Sequence, residues 1–237
     1  MIRSLSSLLG MSSAGLAFVL SLGLAIAPKS VSAFDPITAY GDQLAFDVYR
    51  NDTLVGDHLV RFRRDGDVLR VETDFQLKVD FLVFTAYRMT YSATTEWQDG
   101  QLISLRADTD ENGDLVTVTA KRDGDVLKVT GPKGEFSAPL DTLPTHHWNP
   151  RVKAASLIIN TITGDVSKVV MQAEGESRIE SATGRMIEAD HWAYTDGLQN
   201  HIWFDAQDRW VGMRFSAEDG STIEYRCRSC LAAAPES

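Results

Sequence analysis

The stretch "LRVETDFQLKV", Leu69 to Val79, decides the fold. Leu69, Val71, Phe75, Leu77 and Val79 fall on one side of an extended chain, and Arg70, Glu72, Asp74, Gln76 and Lys78 on the other. Alternation with period two, carried through the whole stretch, specifies a half-buried antiparallel strand rather than a helix. Upstream, "LAFDVYR" and "LVGDHLVRF" flank Asn51-Asp52, a two-residue hairpin turn, and Gly56 marks a bulge. Downstream, "AYRMTYSATTEW" places Tyr87, Met89, Tyr91 and Trp97 on one side.

Turn signals punctuate the chain: Asp65-Gly66, Asp99-Gly100, Asn112-Gly113, Asp123-Gly124, Gly131-Pro132, Asp196-Gly197 and Asp219-Gly220. Short strands at such spacing predict an all-β, mainly antiparallel fold, a half-open barrel or curved sandwich. "RDGDVLRV" and "RDGDVLKV" nearly repeat, but both read as hairpin turns entering a strand, and nothing around them repeats. One segment breaks the pattern. In "PTHHWNPRVKAASLIINTITG", Asn149 suits an N-cap, Pro150 a first helical turn and Gly164 a stop. The sequence predicts one helix at about residues 150–161, lying against the concave side, with Trp148 as a staple before it.

The C-terminal run from Arg185 to Tyr225 can be folded on paper. A turn at Asp196-Gly197 sets Trp192 opposite His201 and Asp190 opposite Trp203. A turn at Gln207-Asp208 sets His201 opposite Arg214, Trp203 opposite Gly212 and Asp205 opposite Trp210. A three-residue loop ending in Gly220 sets Arg214 opposite Glu224. Ala193, Ile202, Phe204, Val211, Met213, Phe215, Ile223 and Tyr225, plus His191, then form a core face. Trp192, His201, Trp203, Trp210 and Arg214 share the other. Indoles beside charged and imidazole groups read as an amphipathic ligand surface with Arg214 and His201 as polar handles. The competing reading packs the indoles under the helix and leaves Arg214–Glu224 an ordinary cross-strand pair.

The first 33 residues read as a signal peptide: Arg3, an apolar stretch from about Leu8 to Ala27, then Val31-Ser32-Ala33 before a cleavage site at Phe34. An uncleaved anchor is the alternative, given the length of the apolar stretch. Residues 34–237 then form a single β-rich domain with a tail fraying from about 228. Removing Arg3 and Lys29 leaves 21 basic against 33 acidic side chains, a net charge of −12. That acidity disfavours nucleic acid, and no later segment is apolar enough to span a bilayer. Cys227 and Cys230, the only cysteines, read as a local disulfide of an oxidising compartment, periplasmic or secreted.

Chemistry is sparse. His58, His146, His147, His191 and His201 show no HxH or HxxxH spacing, so no metal site and no cofactor are expected. No G-x-S-x-G elbow and no Gly-rich phosphate loop occurs, so no catalytic residue is assigned. His147 is the histidine of the His146-His147 pair expected to share a cavity with Trp203 and His201.

Trp148-Asn149-Pro150, "INTITGDV", "IWFDAQDRWVGMRF", "EDGSTIEY" and "LAFDVYRNDTLVGDH" together resemble an uncharacterised family of exported bacterial β-rich proteins, the DUF6134-type family. The resemblance spans most of the chain after residue 33 and implies kinship without an activity. More loosely, the layout is similar to the half-open barrels of periplasmic lipoprotein carriers, a likeness of fold. The leading expectation is non-catalytic binding or carriage of a small hydrophobic or lipid-like ligand by His147, Trp148, Trp192, His201, Trp203, Trp210 and Arg214. A hydrolase using His147 or His201 and a structural or partner-binding envelope protein are the alternatives.

Overall fold

The structure is a computed structural model that describes residues 34–81, 84–196 and 199–230; the expected signal peptide lies outside the described residues. Alternation of apolar and polar side chains drives nearly everything in it. Strands β1 (Gln43–Arg50), β2 (Thr53–Asp65), β3 (Val68–Phe81), β4 (Phe84–Gln98), β5 (Gln101–Glu111), β6 (Asp114–Asp123), β7 (Val126–Gly131) and β8 (Gly134–Pro139) follow one another as an antiparallel meander. A second meander comprises β12 (Val170–Glu180), β13 (Met186–Asp196), β14 (His201–Phe204), β15 (Trp210–Ser216) and β16 (Thr222–Ser229). β16 pairs with β1, so the two meanders form one 13-stranded sheet whose edges are β8 and β12. Among the described residues no ladder joins those edges. The sheet is curled but not closed into a barrel.

The deciding stretch lies at the heart of β3. Leu69, Val71, Thr73 and Leu77 are buried on the concave face, while Asp74, Gln76 and Lys78 are exposed. On the convex side Arg61–Asp74 and Arg70–Glu96 ion pairs cross the strands, and Arg70–Glu72 runs along β3. Turn chemistry fixes the register. Asn51 and Asp52 both take positive φ (45° and 65°), the signature of the two-residue turn whose twist matches its strands. Val48 pairs with Gly56 and Tyr49 with Leu54, so a bulge falls beside Gly56. A Cβ on Gly56 would lie 2.0 Å from the Gln76 carbonyl oxygen, so only glycine fits.

The segment between the meanders runs across the concave face. It holds β9 (Leu143–Pro144), β10 (Leu157–Ile159) and β11 (Val166–Lys168), a separate three-stranded sheet, and a 3-10 turn at Pro150–Ala154. Here the expected helix over 150–161 is corrected. Its start is right: the Asn149 side chain accepts from the Arg151 amide at 3.1 Å and Pro150 opens the turn. After Ala154 the β-branched run takes over, and Leu157–Ile159 pairs antiparallel with β11 and parallel with β9. The described α-helix is instead α1, Pro36–Tyr40, capped by Asp35. Its Tyr40 hydroxyl donates to the Trp148 carbonyl (3.1 Å) and accepts from the Trp210 amide (2.8 Å), tying the crossing segment to the second meander. At the other end of the domain, β16 keeps the chain on the sheet to Ser229, past the point at which the sequence predicts the tail to leave.

Candidate functional site

A cavity of about 780 Å³ lies between the concave face and the crossing segment. That is within the roughly 300–1,000 Å³ range of small-molecule sites. Strand register arranges its wall in rows. His58, Phe75 and Tyr91 pair in sequence across β2, β3 and β4. One step along, Leu77 pairs with Met89 and Met89 with Glu111; a further step pairs Val79 with Tyr87. Each step of two residues advances about 6.7 Å. The first row meets the buried crossing segment and the last row opens to solvent, so the wall is about 13 Å deep. Met213, Phe215, Ile223 and Tyr225 close the opposite side.

The floor is polar and uncharged. The Tyr91 hydroxyl lies 2.9 Å from His146 Nε2 and donates to Thr161 Oγ1 at 2.9 Å; Thr161 and Thr145 hydroxyls meet at 3.2 Å. His147 Nε2 lies 3.4 Å from the Tyr194 hydroxyl, and its ring packs on Trp210. His58 lies edge-on to Phe75, Trp210 and Tyr225. Burial disfavours the imidazolium form and lowers His58 to about 3, His146 to about 4 and His147 to about 3. The three rings also oppose one another's charging: His146 and His147 depress His58, and His146 depresses His147. All three are neutral at neutral pH. Burial likewise raises Tyr91, Tyr194 and Tyr225 above the ordinary phenol range. The charged lining residues Arg50, Glu111, Glu218 and Asp219 belong to the rim, where Arg50 is already paired with Asp219 at 2.5 Å.

The expected ligand face is divided by the sheet. His147, Trp148 and Trp210 do line the cavity. Trp148 packs against Phe62 and Trp97 of the sheet, rather than as a staple on a following helix. Trp192 is turned inward by a register one residue away from expectation: it pairs with Ile202, and Ala193 pairs with His201. There it lies under the Lys153 ammonium, 5.2 Å from the ring centre, outside the cavity lining. His201 opposite Arg214, Trp203 opposite Gly212 and Arg214 opposite Glu224 are as expected. Trp210 pairs with Phe204 rather than Asp205, because a bulge shifts the register there.

His201, Trp203 and Arg214 consequently lie on the convex face. His201 does not share the cavity with His147; its Nδ1 lies 2.9 Å from His191 Nε2. Trp203 is stacked on His191 (4.6 Å, 9°), and Arg214 sits 5.6 Å above it while donating to Glu224. A bulge at Gly175 lets the tip of the β12–β13 hairpin fold back over this face. Ile179 fills the space over Gly212, and the Ala182 amide donates to the Cys227 carbonyl (2.9 Å). Trp203 is thus a packing residue, and Arg214–Glu224 is the cross-strand pair of the competing reading.

Sequence reasoning missed His58, Tyr91 and His146 as site residues. The signal was present. His58, Val60 and Phe62 alternate, so the histidine falls on an otherwise apolar face, and Tyr91 belongs to the aromatic stripe of β4. The disulfide Cys227–Cys230 is formed. No group of three or more His, Cys, Asp or Glu side chains placed to hold a metal occurs among the described residues. No helix among them is long and apolar enough to cross a membrane.

An unclosed antiparallel sheet wrapped around an internal cavity defines a β-barrel-like protein. A solved structure shares this architecture: a β-barrel-like protein of domain of unknown function DUF1849 from Brucella abortus, with a TM-score of 0.55 and 13% identity, covers 81% of this chain and 98% of its own. At that identity the likeness is one of fold. The chain itself belongs to the family defined by the domain of unknown function DUF6134, whose family model matches residues 46–228. No protein of curated function matches the chain in sequence.

Proposed function

We propose that the protein is an exported, non-catalytic binder or carrier of a small hydrophobic or lipid-like ligand, held in the concave cavity. The observation that carries this reading is the cavity of about 780 Å³, walled by Phe75, Leu77, Val79, Met89, Met213 and Phe215 with few polar groups at its floor. An apolar cavity of this size with a few convergent hydrogen-bonding groups is the usual form of a small-molecule site. The Cys227–Cys230 disulfide supports an oxidising compartment, and the periplasm is the proposed location.

The hydrolase alternative requires an imidazole within hydrogen-bond reach of a carboxylate. His146 and His147 have tyrosines as their partners instead, Tyr91 and Tyr194. Native mass spectrometry of protein isolated gently from its own cells tests the proposal. The expected result is a 1:1 adduct of several hundred daltons that dissociates on denaturation. An unliganded mass, together with failure to bind any apolar fluorophore, would sink it.

A further inference from the structure

The floor of the cavity carries hydrogen-bonding capacity that the described residues leave unused. The His58 side chain makes no hydrogen bond among them; its Nδ1 is enclosed without a partner, as are His146 Nδ1, Trp148 Nε1 and Thr73 Oγ1. All four side chains line the one cavity. His146, Trp148 and Thr73 are at least nine-tenths buried (7%, 2% and 2% exposed). A buried polar group without a partner is costly, about 1–3 kcal/mol each, and four of the seven such atoms among the described residues belong to the lining of this cavity. Apolar side chains would fill the same volume at less cost.

Charge narrows what can meet them. The floor has no formal charge, and its imidazoles are held neutral by burial. An ammonium or carboxylate brought there would lose its hydration without a counter-ion. A carboxylate must also pass a rim carrying Glu111, Glu218 and Asp219 against the single guanidinium of Arg50, already engaged with Asp219. Tyr91 gives its one proton to Thr161 and so accepts from His146 Nε2, which leaves His146 Nδ1 an acceptor suited to a hydroxyl.

Resting on the ligand-binding reading, we propose that the occupant is an uncharged amphiphile, an alcohol on a hydrocarbon body. Its oxygen sits on the imidazoles of His58 and His146, and its chain runs along Phe75, Leu77 and Met89 toward the rim.

The test compares head groups on one chain. Displacement of the neutral fluorophore N-phenyl-1-naphthylamine is measured at pH 7.5 with 1-dodecanol, laurate and dodecylamine. Dodecanol is expected to compete at concentrations at least tenfold lower than either charged chain. His58→Phe, which keeps the ring and removes both nitrogens, should narrow that preference to threefold or less while fluorophore binding persists. Laurate or dodecylamine competing as well as dodecanol in the wild type overturns the uncharged-head inference and leaves ligand binding intact. Failure of the fluorophore and all three chains to bind overturns both. The wild-type series decides the question even if His58→Phe does not fold.

Discussion

Gly56 shows how one missing side chain governs the cavity wall. It sits beside the β1–β2 bulge, and a methyl group there would strike the backbone of Gln76 and Leu77, at 2.0 and 2.9 Å. Backbone inside a ladder cannot yield cheaply. Gly56→Ala is expected to destabilise the fold by about 1–3 kcal/mol, read as a lower urea midpoint. Gly212→Ala makes a useful contrast, because its methyl would meet the Ile179 side-chain tip at 2.2 Å, which can rotate away. A smaller loss is expected there; equal losses would contradict the distinction. At this scale the sequence was informative about which residues face inward: Leu69, Val71 and Leu77 are buried as the alternation demands. It was silent about His58 and Tyr91 as neighbours of His146, because they sit 88 and 55 positions away from it, and only strand register brings such residues together.

Among the elements, the 3-10 turn is the most sequence-determined and the most misjudged. Asn149 and Pro150 were legible, since cap and turn residues act locally, whereas Gly164, read as the helix stop, lies at positive φ in the connection from β10 to β11. The end of the helix was not, because Leu157–Ile159 is recruited by β9 and β11, partners a local periodicity does not see. Asn149→Ala removes the cap that holds the turn beside the floor histidines. It is expected to cost about 1 kcal/mol, measured by chemical denaturation. An unchanged midpoint would mean that Pro150 and the Tyr40–Trp148 hydrogen bond suffice. The β13–β14 hairpin teaches the complementary lesson. Three of the expected pairings around β15 hold, yet a connection one residue off expectation turned Trp192 to the opposite face. A period of two makes register an all-or-none property of the strand, so a ligand face read from sequence is only as good as its loop lengths.

For the molecule as a whole, the buried imidazoles make stability depend on pH. Their folded values, about 3 for His58 and His147 and about 4 for His146, lie below the roughly 6.5 of an unfolded histidine. Between these limits the unfolded chain binds protons that the folded chain refuses, so stability rises with pH. It is complete above about 6.5 and is lost as pH falls toward 4, by up to about 1.4 kcal/mol per pH unit for each histidine. Denaturant titrations at pH 7.5 and pH 5.0 should show the loss, and His58→Phe should shrink it. Equal stability at the two pH values would mean that the floor charges freely.

The order of strands in the sheet is the chain order cut and rotated: β1 lies in the middle, against β16, and the edges are β8 and β12. Every other ladder of the large sheet joins consecutive strands, so hairpins can form as the chain leaves the ribosome. The seam between β1 and β16 cannot. The first strand made waits for the last, and until then Phe46 and Val48, both fully enclosed in the finished protein, have no cover from Trp210 and Tyr225. The nascent chain therefore carries a sticky, half-paired strand until β16 is made.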